Sequence, residues 1–470
     1  MSGLFSSLNS SVKALTAHSR AIEIAGKNLA NVNNADYARQ RVLYGDRGTV
    51  VTATGAESLG LEALGVTQIR DALLDQQVCR EVALKSSYLA EQSGYQRAQA
   101  GLGQSIDRSS ATTGVGSNAG TGLAASLDDF FNSFQSFASR PTDDGERETL
   151  LQKAAILTDR FQLADTRLAQ VQSDLNSAAA IDVDEVNRRL TAIAELNAQI
   201  GRFEVNAPGS AVDLRDQRQA QIEALSAKLP VEVRNSSNGE VQIVAKDTNG
   251  SDTLLVDLTA VTGKIAFDGT RLTAGDAAVQ LDPSSGSIKG AIAARDGAVQ
   301  TLRNDLDQLA RQLVTSVNAT YNPTGTTGDF FKSTGTSAGA ISVVNTVTAS
   351  TLKANDSGVA GDNSIALAVA RLADHQFSTA NGDHIDGTFS SHFSNSVSKL
   401  GQALSAANSR VDDQSNIEQL VRTQRDGVSG VSLDEEMADL MKYQRAFQAS
   451  SRVFTVMDDL LDVVVNRLSR

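Results

Sequence analysis

The sequence is poor in residues on which several functional classes depend. It has no tryptophan, five prolines, four histidines and one cysteine, and aromatic residues make up 4% of its 470 positions. One thiol cannot form an intramolecular disulfide, so Cys79 is expected to pack as a small apolar side chain. No stretch reaches the roughly 18 consecutive apolar residues of a membrane-spanning helix. Neither a disulfide framework nor a membrane span is therefore predicted.

Clustered positive charge is also missing. The formal net charge is −13 and the isoelectric point is about 4.9. Nucleic acids and anionic membrane surfaces are bound by grouped lysines and arginines, which this sequence does not offer. Residues 1–11 contain neither a basic leader nor a long apolar segment, so no cleaved secretory signal peptide is expected.

Sequence motifs give little support to catalysis or metal binding. Residues 335–339 spell G-x-S-x-G, but no histidine is placed in a recognisable nucleophile motif, and the glycine-containing stretch 101–122 lacks the phosphate-binding sequence G-x-x-x-x-G-K-[ST]. His375, His384 and His392 lie near several aspartates, but their spacings match no short pair of metal ligands. We therefore expect no enzyme activity, no cofactor and no metal.

The residues that are present favour a large helical protein. Apolar residues make up 41% of the chain, and its 470 residues exceed the roughly 250–300 that one hydrophobic core usually serves. More than one domain is therefore predicted. Alanine, serine, asparagine and glutamine dominate both end regions, a composition typical of long helices with narrow apolar stripes.

The N-terminal region shows a heptad pattern. Its predicted seam comprises Leu4, Leu8, Leu15, Ile22, Leu29 and Val32. The helix should end near Asn31, because Asn31, Asn33 and Asn34 bring side chains that compete for backbone hydrogen bonds. An extended arm is expected from Tyr37 to about Gly65.

The C-terminal region repeats this pattern. Ser432 and Glu435 form an S-x-x-E sequence, which predicts a capping box at the start of a helix. The predicted seam of that helix comprises Leu433, Met437, Leu440, Phe447, Phe454, Leu461 and Leu468. A helix of this length cannot bury its own apolar stripe, so we expect the two ends of the chain to pair as a coiled coil.

The middle of the chain reads as helical with one β segment. Helices are predicted over 71–102, 123–139, 143–180, 184–201, 213–228, 288–317, 365–377 and 389–425. Short β-prone runs on either side of the turn at Asn238 and Gly239 predict strands within 229–289. The region 322–361 predicts no particular fold.

The predicted fold class is therefore mainly α with an inserted small β domain, in an elongated multidomain subunit. Residues 1–33 together with 431–470 are assigned to a terminal coiled-coil domain. Residues 34–228 together with 290–430 are assigned to a helical middle domain, and 229–289 to an outer β domain.

Two motifs stand near the two ends of the chain. The first comprises Asn28, Asn31, Asn33, Tyr37, Arg39 and Gln40, and the second comprises Ser429, Gly430, Asp434, Glu435, Glu436 and Gln444. Both motifs resemble those of flagellar rod, hook and hook-associated proteins. The sequence departs from the family pattern at Ala35 and Asp36, where that pattern has a glycine-bearing turn. Interior segments at 139–147 and 213–218 are similar to hook-associated members.

The resemblance implies a structural subunit at the junction between the flagellar hook and filament, needed for filament assembly. It implies self-assembly into a helical ring, with the hook protein below and a second junction protein and the flagellin filament above. It also implies type III export without a cleaved signal, and an export chaperone that binds the C-terminal region. The alternatives are another axial protein of hook or rod type and a surface adhesin-like fibre, although an adhesin has no need for paired motifs at both ends.

Overall fold

The computed structural model describes residues 2–46, 49–52, 55–58, 61–102, 122–236, 238–326, 328–357, 359 and 361–463. For residues 2–6, 46, 49–52 and 56–58 it describes the backbone alone. The chain forms two compact units. The first comprises Met1–Ser86, Asp182–Gly286 and Gln414–Arg470, and the second comprises Ser87–Ile181 and Ser287–Asp413.

Most of the described residues are helical. The α-helices are α1 (Ser2–Ala30), α2 (Ala72–Leu102), α3 (Leu123–Ser139), α4 (Asp144–Glu204), α5 (Val212–Ser226), α6 (Ser287–Ala294), α7 (Gln300–Tyr321), α8 (Ser364–Ala370), α9 (Phe389–Ser429) and α10 (Leu433–Asp462). A π-helical segment, Arg295–Val299, joins α6 to α7. Short 3₁₀ turns cover Arg371–Asp374 and Thr379–Asn381.

The described strands all belong to the first unit. They are β1 (Gln40–Asp46), β2 (Thr49–Thr52), β3 (Gly55–Ser58), β4 (Leu61–Gln68), β5 (Glu232–Asn235), β6 (Val241–Lys246), β7 (Asp252–Asp257), β8 (Ala260–Val261), β9 (Ile265–Phe267), β10 (Leu272–Ala274) and β11 (Val279–Leu281). Two antiparallel pairs, β1 with β4 and β2 with β3, follow α1. A four-stranded sheet has the order β5-β6-β7-β8, and a three-stranded sheet has the order β11-β10-β9.

The prediction of a mainly α chain with a small antiparallel β region and long terminal helices is confirmed. Helix α1 ends at Ala30, close to the predicted stop. In the region predicted as an extended arm, the described residues from Gln40 onward form paired strands. The predicted break between 180 and 184 is wrong, because α4 is one continuous helix of 61 residues, about 90 Å long. Inside it, Asp182 pairs with Lys228 at 2.7 Å, so that polar stretch marks a contact and not a helix end.

Two asparagines of α4 attach the β region to the helix. Asn187 Nδ2 donates to the Ile265 carbonyl oxygen, and its Oδ1 accepts from the Ile265 N–H, each at 2.8 Å. Asn197, which is fully buried, donates to the Val241 carbonyl oxygen at 2.8 Å. Each amide replaces a strand partner that the backbone would otherwise lack. The β strands therefore pack on α4 in a fixed register.

The core of the second unit contains many of the chain's few aromatic residues. Phe130 of α3 lies at the centre, with ring centroids of Phe134, Phe331 and Phe330 at 5.1, 5.7 and 5.9 Å. All four side chains are fully buried. The spacing of Phe130, Phe131, Phe134 and Phe137 along α3 places these rings on one side of the helix. This aromatic cluster forms part of the buried core of that unit.

The two units divide the chain at other positions than the predicted domain boundaries. Residues 232–281, which hold strands β5 to β11, fall in the same unit as both terminal helices. The segment from Ser87 to Ile181 falls in the other unit. The three-domain assignment stays a prediction.

Candidate functional site

The two end motifs meet at Asn28, near the end of α1. Its side chain is 1% exposed and donates to the Gln40 carbonyl oxygen at 2.9 Å and to Glu436 Oε2 at 3.0 Å. Its Oδ1 accepts from the Gln40 N–H at 3.0 Å and from the Tyr37 hydroxyl at 2.8 Å. A buried amide needs such partners to offset lost hydration. One side chain thereby joins α1, the start of β1 and the first turn of α10.

Arg39 supplies the positive charge at this point. It is 7% exposed, and its Nε donates to Glu436 Oε1 at 2.6 Å while Nη1 donates to Glu435. Glu436 is 3% exposed, so each member of this ion pair depends on the other. Burial lowers the pKa of Arg39, but the hydrogen bonds and charges of Glu435 and Glu436 outweigh burial and raise that pKa. The guanidinium therefore stays charged and holds the start of α10.

The N-terminal motif also binds two further elements of the first unit. The Arg39 N–H donates to the Ser429 carbonyl oxygen at the end of α9, at 2.8 Å. Gln40 Nε2 donates to Asp213 Oδ1 of α5 at 2.9 Å, and Lys27 Nζ lies 2.6 Å from the same oxygen. Burial raises the pKa of the Asp213 carboxyl, but the hydrogen bonds from Lys27 and Gln40 outweigh burial and lower that pKa. The motif thus connects α1, α5, α9 and α10.

Gly430 lies in the short connection between α9 and α10. Its N–H donates to the Asp426 carbonyl oxygen at 2.8 Å, and a Cβ on Gly430 would lie 2.4 Å from that oxygen. Any side chain here must push away the last turn of α9. Glycine is therefore required at this position by a close backbone contact. The course of the chain after Gly430 places Glu436 next to Arg39.

The predicted capping box does not form. Ser432 occupies the N-cap position of α10, but its side chain makes no capping hydrogen bond. The Glu435 carboxylate pairs with Arg39 instead of turning back to the helix end. That prediction was wrong because the local sequence could not reveal a buried arginine beside this turn. The acidic residues still lie where the helix macrodipole favours negative charge.

Apart from Ser429 and Gly430, the residues of the two end motifs fall into two groups. The first, which we call the end junction, comprises Asn28, Tyr37, Arg39, Gln40, Glu435 and Glu436. In the second group, Asn31 bonds within α1, donating to the Lys27 carbonyl oxygen at 2.9 Å. Asn33, Asp434 and Gln444 are exposed. Of these two groups, the end junction is the one whose side chains join the two ends of the chain.

Helix α1 packs against α10, and its most buried stripe lies beside the predicted seam. Leu8, Leu15, Ile22, Leu29 and Val32 of that seam are half-buried, and the side chain of Leu4 lies outside the described residues. The most buried positions are Ser11, Ala17, Ala21, Ile24, Ala25 and Asn28. Small residues on this stripe allow the neighbouring backbone to approach closely.

Only part of the predicted seam of helix α10 is buried within this subunit. Leu461 is buried, and Leu440 and Phe454 are half-buried. Leu433, Met437 and Phe447 are 52%, 44% and 37% exposed. Leu468 lies outside the described residues. Apolar side chains of this helix therefore remain available in the isolated chain.

Sequence reasoning missed a second set of buried ion pairs beside the end junction. Arg70 contacts Asp216 at 2.8 Å and Asp75 at 3.3 Å, and Arg425 contacts Glu223 at 2.6 Å. Burial raises the pKa of Asp75 and of Asp216, although the charge of Arg70 opposes that rise. The partners of these ion pairs are distant in sequence, so local sequence patterns do not predict the pairs. The one sequence signal was the segment around Asp216, which resembles hook-associated proteins.

No group of three or more metal-ligating side chains is arranged to hold a metal ion in the described part of the chain. The His375 ring lies 4.6 Å from the Phe377 ring, and burial lowers the pKa of His392. Within the same residues, no helix has the length and apolar content needed to cross a membrane.

Comparison with known proteins gives two family matches. A model described as the helical domain of the flagellar hook-associated protein FlgK matches residues 111–331. A model described as the C-terminal region of the flagellar basal body rod proteins FlgEFG matches residues 426–468, which include the C-terminal half of the end junction.

Relatives match over nearly the whole chain. Flagellar hook-associated protein 1 of Bacillus subtilis is 26% identical over 524 aligned residues, covering 99% of this chain and 99% of that protein. The protein of the same name from Salmonella typhimurium is 24% identical over 563 residues, covering 98% of this chain and 99% of its own length. The Escherichia coli protein of that name is 23% identical, with 98% of this chain covered.

A solved structure shares the fold. The flagellar hook junction protein FlgK from Burkholderia pseudomallei superposes with a TM-score of 0.61 at 14% identity, over 75% of this chain and all of that one. The C-terminal family match and these relatives place the similarity of this chain among flagellar axial proteins. Within that class, the chain is similar over nearly its full length to flagellar hook-associated protein 1.

Proposed function

We propose that this chain is a structural subunit of the bacterial flagellum that forms the junction between hook and filament and is needed for filament assembly. The observation that carries the proposal is the match to flagellar hook-associated protein 1 over 99% of the chain. The end junction supports the proposal, because a subunit whose two chain ends pair with each other needs buried contacts that hold those ends together. An enzyme is not proposed for a chain of this structural family.

The proposed assembly is a helical ring of identical subunits. The hook protein would lie below the ring, and the second junction protein and the flagellin filament above it. In this arrangement residues 1–33 and 431–470 line the central channel, and 229–289 face outward. We further propose export through the flagellar type III apparatus without a cleaved signal, and a chaperone on the C-terminal region before export.

Exposed apolar residues on α10 favour subunit contacts along this helix. Val453, Val456, Leu460 and Val463 are 48%, 55%, 47% and 39% exposed, and their spacings of three and four place them on one face. A helix with a second apolar face is normally covered by another partner. We propose that this face contacts a neighbouring subunit in the ring.

Loss of the gene should leave cells with hooks but no filaments, and with flagellin released into the medium. The physical reason is that flagellin would have no matching surface on which to polymerise. Electron microscopy of the deletion strain and immunoblots of culture supernatant measure both results. Complementation with the wild-type gene is the control. Normal filaments on the deletion strain would contradict the junction assignment, and missing hooks would favour the hook or rod alternative.

Replacing Val456 by aspartate should block assembly while leaving the isolated protein stable. The side chain is exposed, so the free energy of unfolding should change by no more than about 0.5 kcal/mol. In the ring the new charge would be buried without a partner, which costs several times as much. Motility of the complemented strain and the melting temperature of purified protein measure the two effects.

Thr455→Asp is the matched control, since it adds the same charge at the next position on an exposed site. Variant protein must also be found in the medium, so that an export defect is not mistaken for an assembly defect. Full motility with Val456→Asp would refute a subunit contact on this face.

A further inference from the structure

The first unit contains a cavity of about 780 Å³ that the proposed assembly role does not use. It lies between α2, α5 and β5, and its lining includes Cys79, Arg218, Ile222 and Val233. Ligand sites in proteins usually occupy about 300 to 1,000 Å³. We call this space the arginine cavity.

Arg218 is a buried cation in the wall of the arginine cavity. It is 7% exposed, and its Nη1 donates to Asn197 Oδ1 and to the Gly239 carbonyl oxygen, both at 2.8 Å. Both acceptors are uncharged. Among the described residues no carboxylate forms an ion pair with Arg218, and its Nε and Nη2 make no hydrogen bond. Burial, and then the charge of Arg215, lowers the pKa of Arg218 to about 10, so it stays charged at neutral pH.

The other arginines of the cavity wall are compensated. Arg215 Nη2 lies 2.6 Å from Glu204 Oε2, and that carboxylate is 3% exposed. Arg70 is paired with Asp75 and Asp216. The charges of Glu204 and Glu240 act on Arg218 and partly oppose the effect of burial on its pKa. Arg218 nevertheless forms no ion pair with a carboxylate of the described residues, and a buried charge without such a pair is costly.

We propose that the arginine cavity binds an organic carboxylate, which accepts hydrogen bonds from Arg218 while its apolar part lies against Ile222 and Val233. A guanidinium and a carboxylate match in shape and charge, which makes their hydrogen bonds among the stronger ones in proteins. Glu204 lies close to Arg215 and repels further negative charge, so a singly charged carboxylate suits the site better than a doubly charged phosphate.

Cys79 provides a direct measure of occupancy. It lines the cavity and is 7% exposed, and burial raises the pKa of its thiol to about 12, so alkylation should be slow. Hexanoate at ten times its dissociation constant should slow alkylation by about tenfold, because it leaves about a tenth of the cavities open. 1-Hexanol, which has a similar apolar body without the charge, should protect far less. Mass spectrometry of the intact chain measures the rate.

Arg218→Met should weaken protection by hexanoate at least about tenfold, because the methionine keeps the apolar stem but loses the charged donors. Arg218→Lys should give an intermediate result, because the charge remains without the planar fork. Arg234→Gln is the matched control, since Arg234 lies on β5, has a side chain that is 41% exposed and does not line the cavity. It should bind like the wild type.

Two results would overturn the proposal. One is equal protection by hexanoate and hexanol in the wild-type protein, a comparison that stands even if Arg218→Met does not fold. The other is no protection by hexanoate at any soluble concentration. A further comparison identifies whether the carboxylate comes from a peptide or from a free acid. Protection of Cys79 is measured with a blocked tripeptide that has aspartate between two valines, and the same peptide with asparagine is its uncharged control. Tighter protection by the aspartate peptide than by hexanoate points to a peptide segment, and weaker protection points to a free organic acid.

Discussion

Replacing Arg39 by methionine should destabilise the first unit by about 3–5 kcal/mol, the usual cost of removing one partner from a buried ion pair. Glu436, at 3% exposure, would lose its arginine partner and keep, among the described residues, the hydrogen bond from the Asn28 amide. Because Arg39 also holds Glu435, both ends of the chain should loosen together. Chemical denaturation followed by circular dichroism gives the free energy, and hydrogen exchange shows whether α1 and α10 lose protection.

A second change separates the ion pair from general damage. Glu436→Leu in the Arg39→Met background removes the stranded charge and should recover much of the lost stability, because two apolar side chains can replace a buried ion pair. Arg20→Met on α1 is the control, since Arg20 forms an exposed pair with Glu23 worth about 0–1 kcal/mol. If Arg39→Met were no worse than Arg20→Met, the end junction would not hold the chain ends together.

Local periodicity was enough to predict most of the helices and several of their ends, although it placed a break inside α4. The range predicted for α3 is the range observed, Leu123–Ser139, and α1 ends within a few residues of the predicted stop. Asparagines and glycines act within a turn or two, so their effects can be read from neighbouring residues. The strands of the β region were predicted for the same reason, from a turn at Asn238 and Gly239.

Which face each helix buries was harder to predict. The count of apolar residues on α1 favoured the stripe containing Leu15 and Ile22, yet Ala17 and Ala21 are more deeply buried. Alanine contributes little to an apolar pattern but allows close packing, so a neighbouring stripe becomes the contact face. In α10, counting apolar residues on each face did not distinguish the residues that are buried within the subunit from those that are exposed.

The ion pairs of the end junction could not be predicted because their partners are hundreds of residues apart. The local sequence alone predicts that Glu435 forms a capping box with Ser432. The family resemblance marked the right positions but did not reveal the contact between Arg39 and Glu436. Long-range pairing of charges depends on tertiary structure, and one sequence does not show it.

Phe130→Ala should destabilise the second unit by about 3–5 kcal/mol, the usual range for a large buried side chain. The ring is fully buried, and its centroid lies 5.1 Å from that of Phe134 and 5.7 Å from that of Phe331. Its loss removes apolar burial and leaves space that rigid neighbouring rings cannot fill. Because the chain has no tryptophan, far-ultraviolet circular dichroism during denaturation is the suitable measurement.

Phe203→Ala is the control, since Phe203 is 72% exposed and its loss should change stability by no more than about 0.5 kcal/mol. Phe130→Leu should lie between the two, because leucine fills part of the space. Limited proteolysis should place the damage in Ser87–Ile181 and Ser287–Asp413, while hydrogen exchange at the end junction stays unchanged. Equal stability of Phe130→Ala and Phe203→Ala would mean that the aromatic cluster does not form the core of that unit. Loss of protection at Arg39 and Glu436 in the Phe130→Ala protein would mean that the two units do not unfold separately.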